Sequence, residues 1–498
     1  MMGFLQAVYS LGEMASEAAK DSPFADVMNF LQLPYPITEA QNGKVFAIRV
    51  WLEVDDPQVE VLDINGVADI DRIEYQAIGN DEIKIKERCL YRDPVGSNVS
   101  WRFSPLYKLG RGSKDPLKEL MGESGSWQEN NKCRFYKLYN NLLSDYEKSS
   151  CFSEGSTDRI MAGLVGKIDK IIEFWESKTP CFLLFGLKTG DRFLYPGEVA
   201  AFVNYFKNKL NPDMPAKKRI AQQTTYCALC GEKEKKLETL DKVFKFATFD
   251  KPGFLPGTKD GAGIKEKVFP VCETCYGVLS AGKEEMERRF VNFNVIPKTS
   301  LYVIPEIIFD KKEYYRIASD FTRNFLKNGM RNEINLFSLL ARVNEGLVYH
   351  FLFAEINQAQ LIIHSLIEDV PPTRLRQLEE LWKETCTAFG YEMNNSSKKG
   401  YLDTAISQII AVLLSLAGKR EQDRVVMKER IIAVISGLLN AEPIGVEEIK
   451  RLIVSRLASM FTDPDWISPK EKNKMPGRLR IKGMAEVLDF LYRVNGRE

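Results

Sequence analysis

Hydrophobic residues recur at helical spacing at the start of the chain and at strand spacing soon afterwards. Residues 3–32 carry apolar side chains at helical intervals, among them Phe4, Val8 and Leu11, which predicts a short N-terminal helical element. From Lys44 apolar and polar residues alternate, and turn sequences separate the alternating runs. This pattern predicts a mostly antiparallel sheet with strands at 45–52, 59–64, 72–78 and 83–91.

Helical and strand patterns alternate through the middle of the chain. Residues 130–178 are predicted to be helical. A buried strand is predicted at 180–186, and the chain then turns into a second short strand at 193–195. Residues 198–210 predict a helix, because Pro196 suits the first turn of a helix and the apolar positions that follow have helical spacing.

The pattern beyond residue 300 is mainly helical. One strand is predicted at 300–305, and long helices are predicted over 312–389. The pair Pro371-Pro372 must stop one helix and start the next, because proline disrupts a helix interior. After a polar linker, four amphipathic segments with short connections begin at Tyr401 and predict a helical bundle that could fold by itself.

Two Cys-x-x-Cys pairs are the motif with the most specific chemistry. Cys227 with Cys230, and Cys272 with Cys275, have the spacing that lets four thiolates surround one tetrahedral metal ion. A shell of four protein ligands has no open position, so the predicted zinc ion is structural and activates no water. A redox pair, or pairs that have lost their metal, are the alternatives.

Composition describes an ordinary globular chain of 498 residues with a formal net charge of +1. This charge excludes a uniformly basic coat, so any contact with nucleic acid must come from local clusters. Five further cysteines have no close partner in sequence, which favours a reducing compartment, and we expect the cytoplasm. The longest apolar helical run, 409–417, is too short to span a bilayer, so no membrane is expected.

No catalytic motif is evident in the sequence. The chain has two histidines, His350 and His364, in surroundings predicted to be helical and apolar, where a packed ring is more common than a general base. Gly163 to Lys167 resembles a phosphate loop only superficially, because the glycine spacing is wrong and Ile168 replaces the metal-binding hydroxyl. These observations indicate a protein that is not an enzyme.

Two polar stretches have the composition of nucleic-acid contacts. The 90–105 loop combines arginine, small hydroxyl and amide residues, glycine and tryptophan, which suit phosphate clamping and close backbone approach. The 470–482 run is cationic and is broken by Pro476-Gly477, and such a concentration of charge suits a sugar-phosphate track. Each stretch is also typical of a solvated loop, and that interpretation stays open.

The chain as a whole is predicted to be an α+β multidomain protein: a mixed N-terminal α/β region with a zinc-ribbon-like insertion, then an all-α C-terminal bundle. The predicted domains are an N-terminal α+β domain with the sheet and the loop at 1–215, the four-cysteine zinc module at 216–299, a helical connecting region at 300–392 and the four-helix bundle at 393–498.

Several of these features follow one another in a characteristic order. Arg92 with Gly96-Ser97-Asn98 and Ser104-Pro105 comes first, then the two Cys-x-x-Cys pairs, then Asp369-Val370-Pro371-Pro372-Thr373-Arg374-Leu375, and last the helical bundle. In this order the features resemble the large subunit of type I-B CRISPR surveillance complexes (Cascade). The likeness covers nearly the whole chain and rests on order and context rather than on any single motif.

The resemblance implies a non-catalytic subunit of a ribonucleoprotein. Such a subunit lies beside the subunit that holds the crRNA 5′ handle, reads the protospacer-adjacent motif (PAM) in target double-stranded DNA, and helps start unwinding and R-loop formation. It also recruits a helicase-nuclease transiently. The other implied partners are the repeated backbone subunit and the small subunits, which the C-terminal bundle resembles. Because the guide RNA reads the long sequence by base pairing, the protein needs to recognise only a few base pairs.

The resemblance also directs the candidate nucleic-acid contacts to the two polar stretches. In and after the 90–105 loop the candidates are Arg92, Ser97, Asn98, Ser100, Trp101, Arg102, Lys108 and Arg111, the last two on phosphate. In the bundle the candidates are Arg478, Arg480 and Lys482, which would hold a strand backbone as sequence-independent charge. Whether the loop contacts the DNA or the RNA handle stays open.

Two other functions remain as alternatives. One is a stand-alone zinc-bearing regulator that binds a duplex site without a guide RNA. The other is a metal-dependent nuclease that uses scattered carboxylates, for example Glu368 and Asp369. Met393, just before the linker, is a candidate internal start from which the bundle would also be made separately.

Overall fold

The computed structural model divides the chain into two compact units, one of residues 16–224 and the other of residues 1–15 with 225–498. The structure describes residues 2–35, 45–94, 101–175, 179–210, 225–234, 237–244, 268–296, 298–307, 336–342, 346–357, 360–393, 398–417, 421–462 and 477–496. Helix α1 (Met2–Ala18) opens the chain, which confirms the N-terminal helical element.

The unit of residues 16–224 is organised around a five-stranded sheet in the order β2-β1-β4-β3, with β5 paired to β4. Only β1 and β4 run parallel, so the predicted mostly antiparallel sheet is confirmed. Alternate residues of β4 enter two different cores, with Leu183 in one and Phe182 in the other, so this strand is buried on both faces. The strands are β1 (Phe46–Val54), β2 (Ile64–Glu74), β3 (Leu106–Arg111), β4 (Pro180–Thr189) and β5 (Arg192–Leu194).

Helices pack against this sheet. The helices that the sequence predicts over 130–178 and 198–210 are confirmed. α6 and α7 both contact β2. A π-helical turn, Tyr139–Leu143, joins α4 to α5. The helices are α2 (Glu82–Cys89), α3 (Pro116–Met121), α4 (Arg134–Leu138), α5 (Ser144–Lys148), α6 (Ser156–Gly166), α7 (Ile168–Phe174) and α8 (Ala200–Leu210).

The strand predicted at 83–91 is wrong, because these residues form helix α2 and the turn that follows it. The Asp81 carboxylate accepts a hydrogen bond from the Lys84 N–H at 2.7 Å and caps the helix. Ile85 and Cys89 are both buried and lie four residues apart, which is the spacing of one face of a helix. The alternation of apolar and polar residues in the same stretch is also typical of a strand, which explains the wrong prediction. The strands predicted at 59–64 and 72–78 are also wrong as separate elements, because a single strand, β2, runs from Ile64 to Glu74.

The unit of residues 1–15 with 225–498 contains a four-stranded antiparallel sheet in the order β10-β11-β12-β13. The strand predicted at 300–305 lies within β11 and is confirmed. Two pairs of very short strands, β6 with β7 and β8 with β9, precede the sheet. The strands are β6 (Thr225–Tyr226), β7 (Lys233–Glu234), β8 (Leu237–Glu238), β9 (Val271–Cys272), β10 (Val291–Ile296), β11 (Thr299–Ile307), β12 (Leu347–Asn357) and β13 (Gln360–Val370).

The helices predicted over 312–389, and with them the helical connecting region at 300–392, need correction. Strands β12 and β13 occupy most of 347–370, and the helical stretch predicted before them falls mostly at 312–335, outside the described residues. The double proline ends a strand and begins a helix, because Pro372 is the first residue of the helix that follows β13. That helix, through Ala388, and the short helix at Leu336–Leu340 are the parts of the prediction that are confirmed.

The predicted C-terminal helices are confirmed, and their core is continuous with that of the sheet. One cluster of buried residues runs from Phe4 through the sheet to Val494. α13 contacts β13, and α11 contacts α15. The helices of this unit are α9 (Glu273–Arg289), α10 (Leu336–Leu340), α11 (Pro372–Ala388), α12 (Leu402–Ser415), α13 (Glu421–Asn440), α14 (Val446–Thr462) and α15 (Gly477–Asn495).

Asp403 fastens the first bundle helix to the short helix α10. Its buried carboxylate accepts hydrogen bonds from the N–H groups of Phe337 and Ser338, at 3.0 and 2.9 Å. We expect Asp403→Ala to lower the free energy of unfolding by about 3 kcal/mol, because two buried N–H groups at a helix start lose their acceptor. Asp403→Asn keeps one acceptor oxygen and is expected to lose less. Urea titration measures both, and a loss below about 1 kcal/mol for the alanine variant contradicts this role.

Candidate metal centre

The first cysteine pair lies in a tight turn between β6 and β7. The Cys227 N–H donates to the Glu232 carbonyl at 2.9 Å, and the Gly231 N–H donates to the Cys227 carbonyl at 3.0 Å. Gly231 has a φ of +72°, a left-handed conformation that glycine adopts without the steric cost of a side chain. The turn therefore presents both sulfurs of the pair from one short loop.

The second cysteine pair lies at the start of α9. Cys272 ends strand β9 and is the N-cap of the helix, and its sulfur accepts a hydrogen bond from the Cys275 N–H at 3.4 Å. The Cys272 N–H in turn donates to the Cys227 sulfur at 3.4 Å, which joins the two pairs directly. A turn and a helix start thus converge on one point.

The four cysteine sulfurs lie within 4.8 Å of one another, so the structure brings the predicted ligands together. The Sγ atoms of Cys230 and Cys272 are 3.9 Å apart. Two sulfurs at about 2.3 Å from one tetrahedral zinc ion are separated by about 3.8 Å, whereas a disulfide bond needs about 2.05 Å. The arrangement therefore fits a metal ion better than a disulfide. Three of the cysteines are buried and Cys230 is exposed.

The surroundings of the sulfurs set their proton affinity. Burial alone would raise the pKa of Cys227, but hydrogen bonds from the N–H groups of Cys230, Cys272 and Leu229 lower it to about 7. Burial raises the pKa values of Cys272 and Cys275 above the usual range for a thiol. A bound cation must therefore displace protons from at least these two thiols, so acidification weakens its binding.

The donor set determines what a metal ion could do here. Four sulfur ligands in a tetrahedral arrangement suit zinc or iron, and they leave no position for water or substrate. An ion held in this way links the turn, strand β9 and helix α9. The site is therefore suited to holding the polypeptide together and not to hydrolysis.

A second group of potential metal ligands consists of Glu306, His350 and Asp369. His350 Nε2 lies 2.6 Å from the Glu306 carboxylate, and Nδ1 accepts a hydrogen bond from the Asp369 N–H at 3.4 Å. Both ring nitrogens therefore have protein partners, and a cation would have to displace one of them. The prediction that His350 lies in helical surroundings is wrong, because it is on β12, and His364 is on β13.

Glu368, proposed from the sequence as a nuclease carboxylate, has a structural partner. It accepts a hydrogen bond from the Phe4 N–H at 3.1 Å, in the first turn of α1. Burial would raise the pKa of Glu368, but its hydrogen bonds hold the value below the usual range, so the carboxylate stays charged. A negative charge at this position stabilises the positive end of the helix.

Arg92 is buried, which corrects its prediction as a nucleic-acid contact. Only 6% of the residue is exposed. Its guanidinium group lies between the rings of Phe30 and Phe103, 5.1 and 5.3 Å from their centroids, and Nη1 donates to the Phe30 carbonyl at 3.4 Å. The arginine therefore packs the base of the loop, where a desolvated cation–π contact is strongest. Ser97, Asn98 and Ser100 lie outside the described residues.

The remaining candidates near this loop differ in exposure. Arg111 is exposed, whereas Trp101, Arg102 and Lys108 are half-buried. Trp101 packs against Phe103, and the Arg102 guanidinium donates to the Trp101 carbonyl at 2.8 Å. Lys108 lies 4.6 Å from the centroid of the Tyr91 ring and 3.7 Å from the Asp93 carboxylate. Arg111 is therefore the candidate of these four that projects most freely.

The bundle candidates lie in or near the first turns of α15. Lys482 donates to the Phe389 carbonyl at 3.3 Å and lies 4.0 Å from the centroid of the Tyr391 ring, so its charge is already engaged within the protein. Arg478 and Arg480 are helical, and their side chains lie outside the described part of the structure. The positions of these three residues agree with a basic helix start but do not test nucleic-acid binding.

Comparison with protein families points in one direction. Residues 224–370 match the model of the central domain of CRISPR-associated protein TM1802 (cas_TM1802). The matched stretch begins just before Cys227 and ends with β13, so it contains the metal centre and the whole four-stranded sheet. The match supports a CRISPR-associated protein. No curated protein matches the chain.

Over the part of the chain that the structure describes, no helix combines the length and the apolar character needed to cross a membrane.

Tyr9, on α1, lies beside Cys275, a neighbour that the sequence did not suggest. The two residues are 266 positions apart, and no local pattern indicates such a contact.

Proposed function

We propose that the protein is the non-catalytic large subunit of a type I-B RNA-guided CRISPR effector complex in the cytoplasm. In this role it recognises the PAM in duplex DNA, helps start unwinding and R-loop formation, and helps recruit the helicase-nuclease. Its partners are the crRNA, target double-stranded DNA, the handle-binding subunit, the repeated backbone subunit and the small subunits. It holds one structural zinc ion at the four cysteines.

The single observation that carries this proposal is the family match over 224–370, which coincides with the metal centre and the second sheet. A closed set of four sulfurs supports a frame and not a reaction centre. Glu368, one of the two carboxylates suggested for a nuclease, accepts a hydrogen bond from the first turn of α1. These features agree with a subunit that supplies geometry while a guide RNA supplies sequence complementarity.

Reconstitution with and without this chain tests the proposal. A complex of crRNA and the other subunits is assembled with the chain or without it, and binding to a matched duplex is measured in the presence and absence of the adjacent motif. We expect binding to require the chain and the motif together. The isolated chain, incubated with DNA and magnesium or manganese, is expected to leave the DNA intact. Cleavage by the isolated chain, or motif-dependent binding without RNA, contradicts the proposal.

The predicted contact of Arg480 with the sugar-phosphate backbone of a nucleic-acid strand can be tested by the salt dependence of binding. Arg480→Ala is expected to weaken target binding equally for all sequences and to lower the slope of log K against log salt by about one charge. Arg493→Ala is the matched control on the same helix, because Arg493 already pairs with Asp489 at 2.6 Å and Glu384 at 3.4 Å. An unaltered affinity and salt slope for Arg480→Ala shows that the assignment is wrong.

A further inference from the structure

Helix α1 crosses α9, the helix that begins at the second cysteine pair, at very short range. A methyl group built on Gly12 would lie 1.9 Å from the Val278 carbonyl oxygen, and one built on Gly282 would lie 1.9 Å from the Val8 carbonyl oxygen. Only glycine at both positions permits this backbone approach. The crossing places the face of α1 that carries Tyr9 over the first turn of α9.

At this crossing the Tyr9 hydroxyl oxygen lies 3.8 Å from the Cys275 sulfur. A free thiol and a phenol can share a hydrogen bond with either group as donor. A metal-bound thiolate has no proton, so the phenol must then be the donor. A hydrogen bond to a charged sulfur is stronger than one between neutral groups, and it orients the ligand and adjusts its basicity.

We propose that Tyr9 is a positioning residue of the metal centre, whose hydroxyl group donates a hydrogen bond to the Cys275 thiolate when the metal is bound. Zinc binding and the docking of α1 are therefore linked. Bound zinc stabilises the docked position of α1, and docked α1 raises the affinity of the four cysteines for zinc. The linkage is reciprocal, because one contact free energy enters both equilibria. This inference needs a metal at the four cysteines, and it does not depend on the function proposed above.

The packing of α1 explains why a single hydroxyl group can link the metal ion to the docking of the whole helix. Phe4, Val8 and Leu11 belong to the same buried core as Cys272 and Cys275. α1 is therefore already seated by apolar contacts, and the hydroxyl needs no large rearrangement to meet the thiolate. Removing only the oxygen, in Tyr9→Phe, keeps the ring and the crossing intact, so the metal contact is the property that changes.

Zinc affinity of the full chain is the first test. A chromogenic chelator competes for zinc with the wild-type chain, with Tyr9→Phe and with Tyr391→Phe. Tyr391→Phe is the matched control, because it removes a hydroxyl that donates to Glu486 at 2.8 Å. Loss of a partner of a metal ligand typically costs 10- to 100-fold in affinity, so we expect Tyr9→Phe to bind zinc about 10-fold more weakly and Tyr391→Phe to match wild type.

Hydrogen exchange of the α1 amides is the second test, because it measures the effect of zinc on the docking of α1. Removing zinc from the wild-type chain is expected to speed exchange in α1, and the acceleration is expected to be about 10-fold smaller in Tyr9→Phe. Four results overturn the inference: no zinc binding by wild type, equal affinity for Tyr9→Phe and wild type, an equal loss for Tyr391→Phe, or exchange in α1 that does not respond to zinc.

Discussion

Cys272→Ser is expected to abolish zinc binding and to destabilise the unit that contains the four cysteines by about 4 kcal/mol, when free zinc is about 1,000 times its dissociation constant. A hydroxyl group replaces a thiolate ligand, so the four-sulfur shell is broken. The stabilisation that comes from metal binding to the folded state is then lost, because a preformed site rarely exists in the unfolded chain. Zinc analysis and thermal unfolding of the purified chain measure both effects.

Cys133→Ser is a closely matched control. Cys133 and Cys272 are both buried N-cap residues. In each case the sulfur accepts a hydrogen bond from the backbone N–H of the residue three positions later, with an N–S distance of 3.4 Å. Serine is a better N-cap than cysteine for a helix without a metal, so Cys133→Ser is expected to leave stability within about 1 kcal/mol of wild type. If Cys272→Ser behaves in the same way, Cys272 is only a helix cap and the metal centre is ruled out.

Gly282→Ala is expected to lower the free energy of unfolding by about 3 kcal/mol, at the upper end of the range for overpacked interiors. The added methyl group would meet the Val8 carbonyl oxygen at 1.9 Å, so α1 and α9 must separate. Gly12→Ala is expected to have a similar effect, because the same crossing places its methyl group against Val278. Chemical denaturation monitored by circular dichroism measures the loss.

Gly166→Ala separates the effect of the crossing from the effect of glycine in a helix. A methyl group at Gly166 would have no neighbour within 4 Å, and Gly166 ends helix α6. Alanine has a higher helix propensity, so this variant is expected to equal or slightly exceed wild-type stability, by up to about 1 kcal/mol. A Gly282→Ala variant as stable as wild type would show that α1 does not cross α9 at this distance.

The metal ligands could be predicted from the sequence because their chemistry depends on spacing. Two pairs of cysteines, each with two residues between its members, indicate a metal site, and the structure brings all four sulfurs together. The neighbours of the site could not be predicted in this way. Tyr9 reaches Cys275 only because Gly12 and Gly282 let two helices approach, and that packing is a tertiary property.

Residues 347–370 are where the structure differs most from the sequence prediction, because they form strands and not a helix. β12 is almost continuously apolar from Leu347 to Ala354, and all of these residues are buried. A short apolar run of this kind cannot be distinguished from a buried helix by periodicity alone. The aromatic and β-branched residues at 348–353 favour a strand, and they are the feature of the sequence that distinguishes this run from a helix.

Arg92 shows why composition alone is a weak guide to a binding surface. An arginine in a polar loop suits phosphate binding, but the same planar group packs well between aromatic rings. Phe30 and Phe103 are distant from each other in sequence, so the sandwich around Arg92 depends on the fold. Arg111, exposed at the end of β3, keeps the predicted role as a hypothesis.

The most direct measurement of the proposed function is the composition of the native assembly. The tagged chain is purified from its own cells under mild conditions, and bound RNA and protein are identified by sequencing and mass spectrometry. The proposal predicts small RNAs of uniform length that share a constant 5′ end, together with repeated backbone subunits. A chain recovered without RNA, which binds a duplex site alone or cleaves DNA, would contradict it.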